Sequence, residues 1–209
     1  VPVAADPGRR AGRQVDEAGV LGAGEAGSDG VAVRAQRAQR ARTPNSGFFQ
    51  TRAALGTQSP IDLPFRSGDL KPEWARYPEA QVVLLMKWTD WHLPLVAVDT
   101  DKGVAELLGG PRAAWMDEPD ARYWVENVPD ALDQPGEWYF DRTSGNLYYY
   151  PLPGQDMDAV VTIVPSQETL VEIAGTPEHP VSHLQFQGIH FRHSTWLRPS
   201  EKGHVPLQA

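Results

Sequence analysis

Carboxylates are the first residues in this chain that could do chemistry. Asp90, Asp99, Asp117, Glu126, Asp133, Glu137 and Asp141 are spread through its middle half. Cleaving a glycosidic bond needs two such groups across the bond, one held protonated and one ionised. No spacing here pairs any two of them across a cleft. Glu126, Glu137 and Asp141 stand at strand ends or turns, where a carboxylate ordinarily caps backbone amides. No catalytic residue is assigned.

Aromatic rings are the second resource, because sugars pack apolar C–H faces on them and tryptophan offers the largest platform. Among seven tryptophans, Trp124 and Trp138 fall inside strand-like runs and read as core. Trp91, with His92 beside it, breaks two apolar runs. Trp196 follows His193-Ser194-Thr195. Trp91, His92, His193 and Trp196 are therefore the candidate substrate-binding residues, weighed against ordinary core or interface packing. His190 and His193 are three apart in a strand-like run and point to opposite faces, so no metal site is expected. No phosphate loop, nucleophile elbow or metalloprotease motif occurs, and no cofactor is implied.

A basic run, Arg34 to Arg42, could hold an anion or an acidic sugar through Arg37, Arg40 and Arg42. Charge runs of this kind are ordinarily a solvated edge with an internal salt bridge. The Arg/Gln/Ala repeat itself suits an exposed helical turn or a basic edge strand.

The elements that must position these residues are short. With 19 Pro and 19 Gly in 209 residues, turns are frequent and β structure is favoured. The surest element is a hairpin of Trp138-Tyr139-Phe140 and Leu147-Tyr148-Tyr149-Tyr150, reversed at Gly145-Asn146. Upstream, strands are expected within 58–65, over 80–88 and 93–98, and over 104–108 and 121–128. Asp69 is the expected N-cap of a helical turn reaching Trp74. Downstream, 159–164, 169–173, 181–186 and 188–193 read as further strands. Leu170, Val171 and Ile173, then Leu184 and Phe186, then Ile189 and Phe191 alternate as the rungs of a parallel β-helix would.

Residues 1–33 contain no aromatic side chain and little large apolar surface, so they are expected to be disordered. Their composition also matches GC-rich DNA read in the wrong frame. The formal charge of -8 argues against a nucleic-acid partner. Cysteine is absent, which excludes disulfides and thiolate metal sites. No apolar run spans a bilayer, and no signal peptide opens the chain.

From Thr43 onward the sequence resembles the N-terminal region of bacterial right-handed parallel β-helix carbohydrate-active proteins, including fucosidase- and xylanase-type glycoside hydrolases. The likeness rests on residues 40–49, on Trp88-Thr89-Asp90-Trp91-His92, on Tyr123-Trp124-Val125-Glu126-Asn127, on 133–139 and 141–151, and on 186–196. It implies an all-β chain, with a β-rich N-terminal domain over 34–165 and the first coils of a truncated β-helix over 166–209. It further implies a carbohydrate substrate, catalytic acids on later coils, and an extracellular or periplasmic setting. A non-catalytic carbohydrate-binding or adhesive module, or a fragment of a polysaccharide lyase, are the alternatives.

Overall fold

The computed structural model describes residues 19–23, 31–33, 36–87, 89–109 and 120–195. These form an all-β structure whose only helices are short 3-10 turns. Two sheets carry thirteen strands. One sheet has the order β1-β12-β11-β3-β2-β13, with β1 Gly19–Ala23, β2 Val31–Val33, β3 Gln36–Arg40, β11 Glu137–Asp141, β12 Asn146–Tyr149 and β13 Thr162–Ile163. The other has the order β4-β10-β7-β8-β9-β6, with β4 Arg42–Thr43, β6 Ile61–Pro64, β7 Gln81–Leu85, β8 Asp90–Asp99, β9 Val104–Leu107 and β10 Arg122–Glu126; β5 Phe49–Gln50 also pairs with β10.

The chain passes from one sheet to the other at a single residue. Ala41, fully buried between β3 and β4, donates its N–H to the Trp138 carbonyl at 2.7 Å and accepts from the Asn127 N–H at 2.9 Å. The chain thus leaves one sheet at Arg40 and enters the other at Arg42 without a loop. Side chains two apart share a face of a strand, so Ala38, Arg40 and Arg42 lie on the same side across this junction.

Period-two alternation also sorts the second sheet. Tyr123 and Val125 of β10 and Trp91, Leu93 and Leu95 of β8 turn into the main core, with Ile61, Leu63, Phe65 and Trp74. The Tyr123 hydroxyl reaches Asp69 at 2.9 Å; burial first, and then this bond, push the phenol's pKa up. Asp69 is therefore a tyrosine partner rather than the expected N-cap: the 3-10 turn is Pro72–Arg76, and it begins after Lys71 without a side-chain cap.

The β11–β12 hairpin forms where the sequence places it. Both faces are buried: Tyr139 and Tyr148 join the main core, while Trp138, Phe140, Leu147 and Tyr149 make a second one with Met157, Val160 and Val164. Only Gly145 of the turn's last two residues has positive φ, at +70°; Asn146 is already the first residue of β12. Asp141 secures the turn by accepting from the Thr143 N–H at 3.0 Å and the Ser144 hydroxyl at 2.8 Å. Gly145→Val puts a β-branched side chain in the left-handed region. It is expected to lower stability by about 1–3 kcal/mol, read from a urea melt.

Three expectations need correction. Residues 1–33 are not uniformly without structure, because β1 pairs with β12 and β2 with β3 and β13. Existing strand edges supply backbone partners that composition does not reveal. The Arg/Gln/Ala repeat is neither a helical turn nor an edge: β3 lies inside the sheet, parallel to β11 and antiparallel to β2. Finally, 169–173, 181–186 and 188–193 form no strands. Among the described residues none of them has a backbone ladder partner, and a strand without a ladder has nothing to hold it. What remains is a parallel bridge between Gln167 and Ser194, closed by the Thr195 N–H on the Gln167 carbonyl at 3.0 Å.

Candidate functional site at the junction of the sheets

Two adjoining cavities open beside the junction and share Arg37, Ala38 and Gln39. The larger, about 710 Å3, is walled by Asn45, Ser46, Gln134, Glu137 and Tyr149. The smaller, about 370 Å3, is walled by Arg40, Arg42, His92, Trp124, Glu126 and Trp138.

Register explains why these residues meet. Glu126 of β10 lies opposite Arg42 of β4 on one side and Gln81 of β7 on the other. Trp124 lies opposite Val83, which in turn faces His92. All are on the face turned away from Tyr123 and Val125. Glu126 is the hub. It accepts from Arg40 Nη1 at 3.3 Å, from Trp124 Nε1 at 3.0 Å and from the Gln81 amide in a short contact. The His92 ring lies 3.8 Å from Glu126 and 3.7 Å from Asp90. Of the three carboxylates expected to cap backbone amides, Asp141 and Glu137 do so, whereas Glu126 is held by side chains.

The two arginines are fixed by rings. Arg40 stacks on Trp138 with 4.8 Å to the ring centroid, and Arg42 on Trp124 with 4.5 Å. Arg42 also donates to the carbonyls of Pro44 at 3.0 Å and Gly47 at 2.8 Å. Burial lowers its pKa from the ordinary value, against the pull of Glu126 and Glu137.

Glu137 is buried and accepts from the N–H groups of Asp133 at 3.2 Å and Gln134 at 3.1 Å. Desolvation outweighs these bonds and raises its pKa from 4.5 to about 7. Folding therefore favours the neutral carboxyl. Its contribution to stability is complete below pH 4.5 and is lost as the pH rises through about 7. Between about pH 4 and about pH 8 the wild type should lose on the order of 1–3 kcal/mol from this group, and Glu137→Gln should flatten the slope in pH-dependent melts.

The candidate residues read from the sequence fare unevenly. His92 lines the smaller cavity. Trp91 does not: it is buried among core side chains and its indole N–H donates to the Thr89 hydroxyl at 2.8 Å. His193, at φ +64°, lines neither cavity. Trp196 and Asp117 lie outside the described residues. Trp124 and Trp138, read from the sequence as core, also line the smaller cavity, as do Arg40 and Arg42, for which a solvated edge was the favoured reading, and Glu126, expected to cap backbone amides. The alternation Tyr123-Trp124-Val125-Glu126 already carried part of the signal, since it puts Trp124 and Glu126 on one face and the apolar pair on the other.

Neither a family model nor a curated protein matches the chain. A solved structure does, at 27% identity and a TM-score of 0.71, over 92% of this chain and 36% of its own length. That structure is described as a glycoside hydrolase. The chain spans about a third of that neighbour's length. Among the described residues, no helix is long and apolar enough to cross a membrane.

Proposed function

We propose that the chain is the N-terminal β-rich part of a glycoside hydrolase acting on oligosaccharide or polysaccharide outside the cytoplasm. In this reading it binds sugar and does not itself break the glycosidic bond. The observation that carries the reading is the likeness to a glycoside hydrolase over 92% of this chain. The site chemistry supports a binding role. Each of the two carboxyls at the cavities is engaged, Glu126 with three side-chain donors and Glu137 with a turn. Hydrolysis needs one such group free to give a proton and another free to attack or to activate water.

Residues 166–195 take the place of an opening parallel coil in this proposal. Supporting it are the Gln167–Ser194 parallel bridge and a run of apolar side chains left half-exposed, among them Ile173, Leu184, Phe186 and Ile189. A second coil stacked on this one would cover them.

Affinity electrophoresis against soluble glycans, paired with a reducing-end assay, tests the function. Retardation by a glycan without new reducing ends is the expected result. Steady hydrolysis by the chain, abolished in Glu126→Gln, would overturn the non-catalytic assignment. Failure to bind any glycan would overturn the saccharide site.

A further inference from the structure

We infer that Glu137 couples binding in the larger cavity to a proton: an uncharged sugar seated there closes over this carboxyl and is held while the carboxyl is neutral. This rests on the carbohydrate reading above and deepens it.

Glu137 lines the larger cavity yet is only 3% exposed. The Asp133 and Gln134 N–H groups both reach its Oε2, which leaves Oε1 to carry the proton of the neutral form. The polar side chains that meet a ligand in this cavity are themselves uncharged. Gln39, Ser46 and Gln134 line it and are exposed, and among the described residues their side chains have no hydrogen-bond partner. Amides and hydroxyls both donate and accept, as sugar hydroxyls do. Leu152, also exposed, lies against Gly136, where a Cβ would come within 3.2 Å of its Cδ2, and offers an apolar surface to a C–H face.

Charged and titratable groups approach Glu137 from each neighbouring element. The turn before β11 brings Asp133, whose charge disfavours a second anion and which holds the Asn45 amide at 2.7 Å. From β4 comes the Arg42 N–H, while the Arg42 guanidinium is taken by the Pro44 and Gly47 carbonyls. On β3, Arg37 is already engaged and Arg40 is paired to Glu126. On β12, the Tyr149 hydroxyl donates to Gln155 Oε1 at 3.0 Å. Desolvation outweighs the N–H groups and keeps the proton on Glu137 up to about 7. A sugar covering the carboxyl removes water that still reaches it through the cavity, which disfavours the ionised form further. By linkage, the neutral carboxyl binds that sugar more tightly, and binding takes up protons. The neutral form also has an O–H to donate to a sugar oxygen.

The test is isothermal titration of neutral xylo- and galacto-oligosaccharides at about pH 5.5 and about pH 8.5, in buffers of different ionisation enthalpy. Affinity should fall about 3- to 30-fold between the two, with net proton uptake at about pH 7. Glu137→Gln should bind with an affinity that no longer depends on pH. Ser46→Ala and Gln134→Ala, at exposed positions, should each weaken binding about 3- to 10-fold. Carboxyl-carbon NMR of the wild type keeps the test alive should Glu137→Gln unfold: the Glu137 midpoint should lie at about 7 alone and move up when sugar is added. Equal affinity at both pH values, a pH slope that survives in Glu137→Gln, or a midpoint that sugar does not move overturns the coupling and leaves the carbohydrate reading standing. Unchanged affinity in both alanine variants places the sugar outside the larger cavity and also overturns it. Binding of no sugar at either pH removes both.

Discussion

Glu126→Ala is expected to destabilise the protein by about 3–5 kcal/mol, the range for removing one partner of a buried ion pair. The carboxylate is 12% exposed and takes donors from three strands, Arg40 of β3, Gln81 of β7 and Trp124 of β10. Its removal leaves Arg40, itself 13% exposed, charged and without its carboxylate, and leaves the Trp124 indole N–H without its acceptor. Glu126→Gln retains an acceptor oxygen but not the charge, so its cost should be smaller, about 1–2 kcal/mol. Urea unfolding of the two variants separates charge from hydrogen bonding. Equal stability of wild type and Glu126→Ala would mean that the hub does not hold the strands together.

The second large effect is at the neighbouring residue. Asn127 is buried, has φ +58°, and exchanges two hydrogen bonds of 3.3 Å with the backbone of Phe140. Its side chain thus acts as a rung of ladder between the end of β10 and β11. Asn127→Leu strands a buried N–H and a buried carbonyl and keeps a side chain in the left-handed region. A loss of about 3–5 kcal/mol follows from two unsatisfied groups and the backbone strain. Asn127→Gly relieves the strain alone and should recover only about 1 kcal/mol of it. Should Asn127→Gly match the wild type in urea, the two side-chain bonds contribute nothing.

Local elements were legible wherever the chain supplies its own partner. The β11–β12 hairpin, β9 and the body of β10 follow from apolar runs bounded by Gly, Pro and Asp. The tryptophan assignments went astray through one boundary. Starting β8 at Leu93 leaves Trp91 in a loop; starting it at Asp90, as the structure does, puts Trp91 in phase with Leu93 and Leu95 and therefore inside. Trp124 went the other way, since a strand position was read as core without asking which face. The site itself was out of reach because its arginines gain their meaning from β3 lying beside β11, a pairing of Trp138 with Arg40 that no local pattern encodes. The final segment follows its alternation least: alternation says which side chains would share a face if a strand formed, and 169–193 forms none.

The order in which the two sheets can assemble is contained in the crossing at Ala41. Most of the second sheet comes from adjacent strands, β7, β8 and β9, which close short loops. The first sheet instead joins β1, β2 and β3 to β11, β12 and β13, from opposite ends of the described chain. Long closures are entropically expensive and slow. The second sheet is therefore expected to form early, with the first wrapping it late. The junction cavities exist only after that last step, so native-state hydrogen exchange should find the Ala41 and Trp138 amides opening at lower free energy than those of Val82 and Leu93. A sugar bound there would act as a latch on the final stage of folding.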